Sequence, residues 1–125
     1  MISFEDFRIQ EGSPIYQQIL WYLKRGAAAG TIRDGDELPS RRVLSARLAV
    51  NPNTVQKAYH LLEEEGLMTS RPGAGSVMTL TPERMEAIHR QLSENDARFA
   101  ARLLRGLGLE KAQALALIER FWEED

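Results

Sequence analysis

Residues 50–67, VNPNTVQKAYHLLEEEGL, decide how the rest of the chain is read. Val55, Ala58, Tyr59 and Leu62 recur at i, i+3, i+4 and i+7, the spacing of one buried helical face. Asn53, Gln56, Lys57 and His60 repeat that spacing on another face, and none of them is apolar or acidic. Asn51 suits an N-cap, because its side-chain oxygen can accept from an unpaired first-turn N–H. Pro52 follows at the first helical position, where a missing N–H costs nothing. A face carrying amides, a hydroxyl and a cation near the N-terminus suits the major groove of DNA. Amides bond base edges in pairs there, and first-turn N–H groups meet phosphates. An ordinary solvated surface helix has the same pattern, so the flanking segments decide between the two.

Immediately upstream, Ser40 is a second N-cap, and a short helix is expected from there to about Leu48. Leu44 and Leu48 are expected to face inward, and Arg41, Arg42 and Ser45 outward. Ala49-Val50 leaves only a tight connection to the helix capped by Asn51. Two short amphipathic helices joined in this way form a helix-turn-helix, whose first helix lies along the DNA backbone while the second enters the groove. Charge agrees with this reading. Residues 39–62 hold Arg41, Arg42, Arg47 and Lys57 and no acid, although the whole chain has a net charge of −2.

Downstream of Gly66, LMTSRPGAGSVMTL places two short β-prone stretches around Pro72-Gly73-Ala74-Gly75, a hairpin signal. A hairpin directly behind a helix-turn-helix is a wing. Arg71 stands at its tip beside Gly73, where glycine permits close backbone approach to a groove or phosphate. A plain tight turn asks for the same glycines. Glu63-Glu64-Glu65 reads as the solvated far end of the helix, with no further role.

The remaining segments frame this centre. Residues 1–12 form a lead-in, with Phe4, Phe7 and Ile9 available for packing. Ser13-Pro14 signals a helix from Pro14 to about Ala29, N-capped by Ser13 and ended by Gly30, burying Tyr16, Ile19, Leu20, Leu23 and Ala27. A polar loop with an Asp34-Gly35-Asp36 turn leads to Leu38, a candidate for a very short strand. Thr81-Pro82 begins a long helix to about Arg105, with Met85, Ile88, Leu92, Phe99 and Leu103 on one side. Gly106 to Gly108 breaks it, and a last helix covers roughly residues 110–124. That last helix is apolar on nearly every face between Ala112 and Ile118, so it needs cover on several sides. A second copy of the helical hairpin supplies that cover in a symmetric dimer. Folding back onto the same chain is the alternative. Asn95, mid-helix, could set register in such a core or equally lie on the surface.

Composition excludes other classes. The chain has no cysteine, hence no disulfide, thiol nucleophile or thiolate metal site, as fits a reducing compartment. With His60 and His89 as its only histidines, no histidine-based metal site is expected. No apolar run approaches the ~20 residues of a membrane span, and MISFEDFRIQ does not read as a secretory signal, so a cytoplasmic, membrane-free protein is expected. No nucleophile–base pairing, phosphate-cradling loop or cofactor lysine is evident, so neither catalysis nor a cofactor is expected.

The segments SPIYQQIL, GTIRDGDELPSRRVLSARLAVNPNTVQKAYHLLEEEGL and SRPGAGSVM, spanning Ser13 to Met78, together resemble the GntR family of transcription regulators, in its small YtrA-like branch. The resemblance implies a winged helix-turn-helix that binds palindromic operators as a homodimer. Arg42 falls where the family has a DNA-contacting arginine. Asn51, Pro52, Asn53 and Thr54 match the start of its recognition helix, and Arg71 to Gly73 match its wing tip. Many members carry arginine where this chain has Pro52 and Gln56, so their base preference does not carry over. The tail is far shorter than the effector-binding domains common in the family, which fits a dimerisation unit. The branch is associated with control of membrane transporter operons.

The expected architecture is mainly α with a small β-wing: a winged helix-turn-helix over residues 1–80, then a helical dimerisation hairpin over residues 81–125. The expected function is a sequence-specific DNA-binding regulator, a repressor acting as a homodimer on a palindromic operator. Ser40, Arg41 and Arg42 would hold phosphates. Asn51, Asn53, Thr54, Gln56 and Lys57 would face bases and the adjoining backbone, with base contact concentrated from Asn51 to Gln56. Arg71 and Gly73 would follow the wing to the minor groove or backbone. An unidentified small-molecule effector is a further candidate partner. The competing reading is a protein-interaction adaptor that uses the winged domain without DNA, which would fail to bind heparin or random duplex.

Overall fold

The computed structural model describes residues 1–73 and 75–124, so Ala74 of the expected wing tip and the last residue, Asp125, lie outside the described residues. The elements run α1 (Ile15–Ala29), α2 (Arg41–Leu48), α3 (Pro52–Glu64), β1 (Met68–Arg71), β2 (Gly75–Met78), α4 (Pro82–Gly106) and α5 (Lys111–Phe121). Two compact units are formed, Met1–His89 and Arg90–Asp125, and the division falls inside α4.

The first unit is built on α3. It packs against α1 and α2, and its C-terminal end meets β1. Its buried residues are Val55, Ala58, Tyr59 and Leu62, the face set by the sequence spacing. From α1 come Ile19, Leu20, Leu23 and Ala27, with Tyr16 half-buried, and from α2 comes Leu44. Each fully buried aliphatic side chain contributes about 1.5–3 kcal/mol by leaving water, so these helices carry much of the unit's stability.

Helices α1, α2 and α3 stop by one device. The N–H of the residue after the left-handed position or glycine reaches back to the last turn: Thr31 to Gly26, Val50 to Ser45 and Leu67 to Leu62. Glycine supplies the positive φ at Gly30 and Gly66, whereas α2 uses Ala49 at φ 56°. That residue makes the tight connection of the helix-turn-helix.

Ser13 is not the cap of α1. Pro14 takes the cap position with no side-chain bond, and the Gln18 amide holds the preceding segment by donating to the carbonyls of Gln10 and Ser13. Ser45 also departs from expectation. It is buried, and its hydroxyl donates to the Arg42 carbonyl, because a serine that bonds backward along its own helix needs no solvent. The lead-in segment is docked: Phe4 and Phe7 are buried and stack edgewise with each other, both rings meet Tyr22, and Ile9 stays exposed.

The β1–β2 hairpin pairs Met68 with Met78 and Arg71 with Gly75. Residues 35–38 run along the other side of β2, with a Glu37–Val77 bridge and the Leu38 N–H donating to the Ser76 carbonyl. The isolated bridge falls on Glu37, and Leu38, the expected strand residue, lies in no strand and adds a single backbone bond to β2. The adjacent residues Val77 and Met78 point to opposite faces and are both buried, so both faces of β2 are covered at this end. Thr81 caps α4, accepting from the Arg84 N–H.

In the second unit no residue of α5 is buried. Phe99, Leu103, Leu107, Leu115, Ile118, Phe121 and Trp122 are all exposed. Asn95 accepts from the Arg98 guanidinium at 3.3 Å. No helix among the described residues is long and apolar enough to cross a membrane.

Candidate nucleic-acid interface

The start of α3 is set by its cap. The Asn51 side-chain oxygen accepts from the Asn53 N–H at 2.8 Å, and Pro52 occupies the first helical position. The cap uses the Asn51 oxygen and leaves its amide NH₂ as the group for an outside partner. Asn51 and Asn53 are exposed and Thr54 is half-buried. Further along, Asn53, Gln56, Lys57 and His60 line a single shallow depression. Four polar residues spaced on one face thus lie together, as helical periodicity requires.

A second groove, of about 130 Å³, joins three elements: Arg41 of α2, Gln56, His60 and Glu63 of α3, and Ser70 and Ser76 of the hairpin. A neighbouring one places Ser40 and Arg41 beside Gly75 and Ser76. The turn-side half of the wing is thereby next to the start of α2. Ser40 caps α2, its hydroxyl oxygen accepting from Val43 N–H at 3.1 Å, and its own proton remains to be donated. Arg42 and Arg71 are exposed but line neither groove. At the tip, Gly73 and Gly75 have φ of +73° and +77° with open space where a Cβ would stand, so the demand for glycine is conformational.

Among the described residues, Arg41, Arg42, Arg47 and Arg71 form no ion pair, although Glu63 lines the groove that holds Arg41. His60 differs, with Nε2 2.9 Å from the Glu64 carboxylate. Lys57 lies over the Tyr16 ring at 4.0 Å. Tyr59 sits beneath the groove, its hydroxyl donating to the Pro39 carbonyl at 2.6 Å. Burial pushes the Tyr59 hydroxyl well above the usual phenol range, and the positive charge of Arg41 opposes this.

Sequence reasoning missed the acids. Glu65 pairs with Lys24 at 2.7 Å, which is buried in α1, and Glu63 accepts from Ser70 of β1 at 3.1 Å. The triplet therefore ties α3 to α1 and to the wing, in addition to holding His60. Partners so distant in sequence leave no local signal. No group of three or more His, Cys, Asp or Glu that could hold a metal occurs among the described residues.

Residues 15–78 match the description of bacterial regulatory proteins of the gntR family. The chain is 37% identical over 110 residues to the HTH-type transcriptional repressor YtrA of Bacillus subtilis, covering 82% of this chain and 81% of that protein. Its fold is similar to a GntR family transcriptional regulator from Listeria monocytogenes, with a TM-score of 0.77 and 30% identity over 90% of this chain and 98% of the other. It is also similar to YtrA from Sulfolobus acidocaldarius, a GntR-family transcription factor, with a TM-score of 0.56 and 33% identity over 73% and 99% of the two chains. An exposed amide stripe on α3, unpaired arginines beside it and a hairpin behind it match what these relatives are: the chain belongs to the GntR family and is a DNA-binding transcription regulator.

Proposed function

We propose that the chain acts in the cytoplasm as a repressor, bound as a homodimer to an inverted-repeat operator, one winged unit to each half-site. The exposed face of α3 carries this reading. Asn53 and Gln56 offer donor–acceptor pairs to base edges, and Asn51 adds its amide donors. Ser40, Arg41 and Arg42 hold phosphates that set orientation, and Arg71 with Gly73 carries the wing to the backbone or minor groove. Thr54 and Lys57 meet the backbone beside the bases. Repression is drawn from the relative YtrA of Bacillus subtilis, a transcriptional repressor. The dimer is supported by the exposed apolar side chains of residues 90–124, too many for a helical surface in water, and residues 81–125 are the proposed dimerisation unit.

The test is selection of bound duplexes from a random pool, followed by measurement of oligomeric state. An inverted repeat bound by two copies is the expected result. A single asymmetric site bound by one copy would sink the dimer, and failure to enrich any sequence would sink specific recognition.

A further inference from the structure

The Lys57 ammonium stands 4.0 Å from the centroid of the Tyr16 ring. Tyr16 opens α1 and is half-buried, whereas Lys57 lies on the exposed face of α3 in the depression shared with Asn53, Gln56 and His60. A free lysine samples many rotamers on its four-carbon stem as a strongly hydrated point charge. A ring face beneath the ammonium holds it electrostatically and leaves N–H donors on the opposite side. Among the described residues, Lys57 forms no ion pair and the Tyr16 hydroxyl makes no hydrogen bond, so the stack is what orients the pair. His60 on the same stripe is held by a carboxylate instead. A neutral ring fixes a cation without cancelling its charge, and a carboxylate does not.

We infer that Tyr16 is a positioning residue for DNA binding: its ring presents the Lys57 ammonium, fully charged and ordered in advance, to a backbone phosphate beside the base-reading face of α3. The inference rests on the reading of that face as the DNA-facing one. Ordering the side chain before binding removes part of the entropy lost on contact. A phosphate contact carries no sequence information, so the ring adds affinity and not preference.

The experiment measures binding of the full chain to its selected operator and to random duplex, at several salt concentrations. Tyr16→Leu should weaken both by about two- to fivefold, and Tyr16→Phe and Tyr16→Trp should bind like the parent. Lys57→Met should weaken both and reduce the salt slope by about one. Adding Tyr16→Leu to Lys57→Met should then change nothing further. Equal effects of Tyr16→Leu with and without Lys57, or damage from Tyr16→Phe equal to that from Tyr16→Leu, would overturn the inference. If Lys57→Met is silent while Gln56→Ala weakens the operator, the role of Lys57 falls and the DNA-facing assignment stands. If both are silent, the assignment of the face falls and this inference with it. Should Tyr16→Leu fail to fold, the free chain still decides by NMR. The Lys57 ε-protons should be shifted upfield by the ring, and an unshifted signal would overturn the stack.

Discussion

The hydroxyl of Tyr59 donates to the carbonyl oxygen of Pro39 across 2.6 Å, within the core. Tyr59 belongs to α3, and Pro39 immediately precedes the Ser40 cap of α2, so this bond joins α3 to the segment that presents Arg41 and Arg42. Tyr59→Phe leaves the fully buried Pro39 with an unmet carbonyl. A loss of about 1–2 kcal/mol is expected, read as a lower urea midpoint with an unchanged slope. A stability equal to the parent would show that the carbonyl finds another donor.

The same bond gives the protein an alkaline signature. Burial raises the affinity of the Tyr59 hydroxyl for its proton, against the opposing charge of Arg41. An unfolded tyrosine ionises near pH 10, so above that pH the unfolded chain holds fewer protons than the native one and stability falls as pH rises. Below pH 10 the contribution is fully present. Tyr22 acts in the same direction, raised by burial and by Asp6. Melting temperature measured from pH 8 to 11 should therefore decline more steeply for the parent than for Tyr59→Phe. Parallel curves would count against the buried hydroxyl as the cause.

Ala49 ends α2 at φ 56° and ψ 47°, where an L-residue is strained by about 1–2 kcal/mol. Glycine relieves that strain but loses about 0.5–1 kcal/mol in unfolded-chain entropy. Ala49→Gly should stabilise by roughly 0.5–1 kcal/mol, and Ala49→Val should destabilise by more than that, because a β-branched residue tolerates this region least. Chemical denaturation of the two variants would expose an error in sign.

Lys24 is 2% exposed and Glu65, its partner at 2.7 Å, is 41% exposed. Glu65→Ala removes a carboxylate that pairs with a buried ammonium. The expected cost is about 1–3 kcal/mol, below that of a fully buried pair because water reaches the carboxylate. Lys24→Met with Glu65→Ala should recover much of it. A double variant as unstable as Glu65→Ala alone would show that the cost lies elsewhere.

Arg42 and Gln56 should fail differently in operator binding. Gln56→Ala removes a base-edge pair and should cost ~1–3 kcal/mol on the selected operator, with relaxed preference at one position. Arg42→Ala should weaken operator and random duplex together and flatten the salt dependence by about one ion. The two are separated by titrating both duplexes across salt. Identical behaviour of the variants would dissolve the division between reading and positioning.

Much of this was legible because the signals are local. The buried stripe of α3, the Asn51 cap with Pro52, the Ser40 cap, Gly30 and Gly66 at helix ends and the glycine-bearing hairpin each depend on residues within a turn or two. Where local reasoning erred, a longer-range partner or a competing local bond decided. Pro14 takes the cap position expected of Ser13, and Gln18 reaches back across the start of α1 to hold the segment before it. Ser45 turns inward because the Arg42 carbonyl satisfies it. Glu63 and Glu65 are exposed, as their charge suggested, but their partners lie on β1 and α1, which no local signal names.

Taken alone, the sequence determined the order of elements, the face of α3 that is buried and the face that is offered, since periodicity and capping act over one or two helical turns. Tertiary structure decided what surrounds that face. It brought Tyr16 under Lys57, Pro39 to Tyr59, Lys24 to Glu65, and Ser70 and Ser76 beside Arg41. These relationships join residues far apart in the chain, and their energies exist only once packing has removed the water between them.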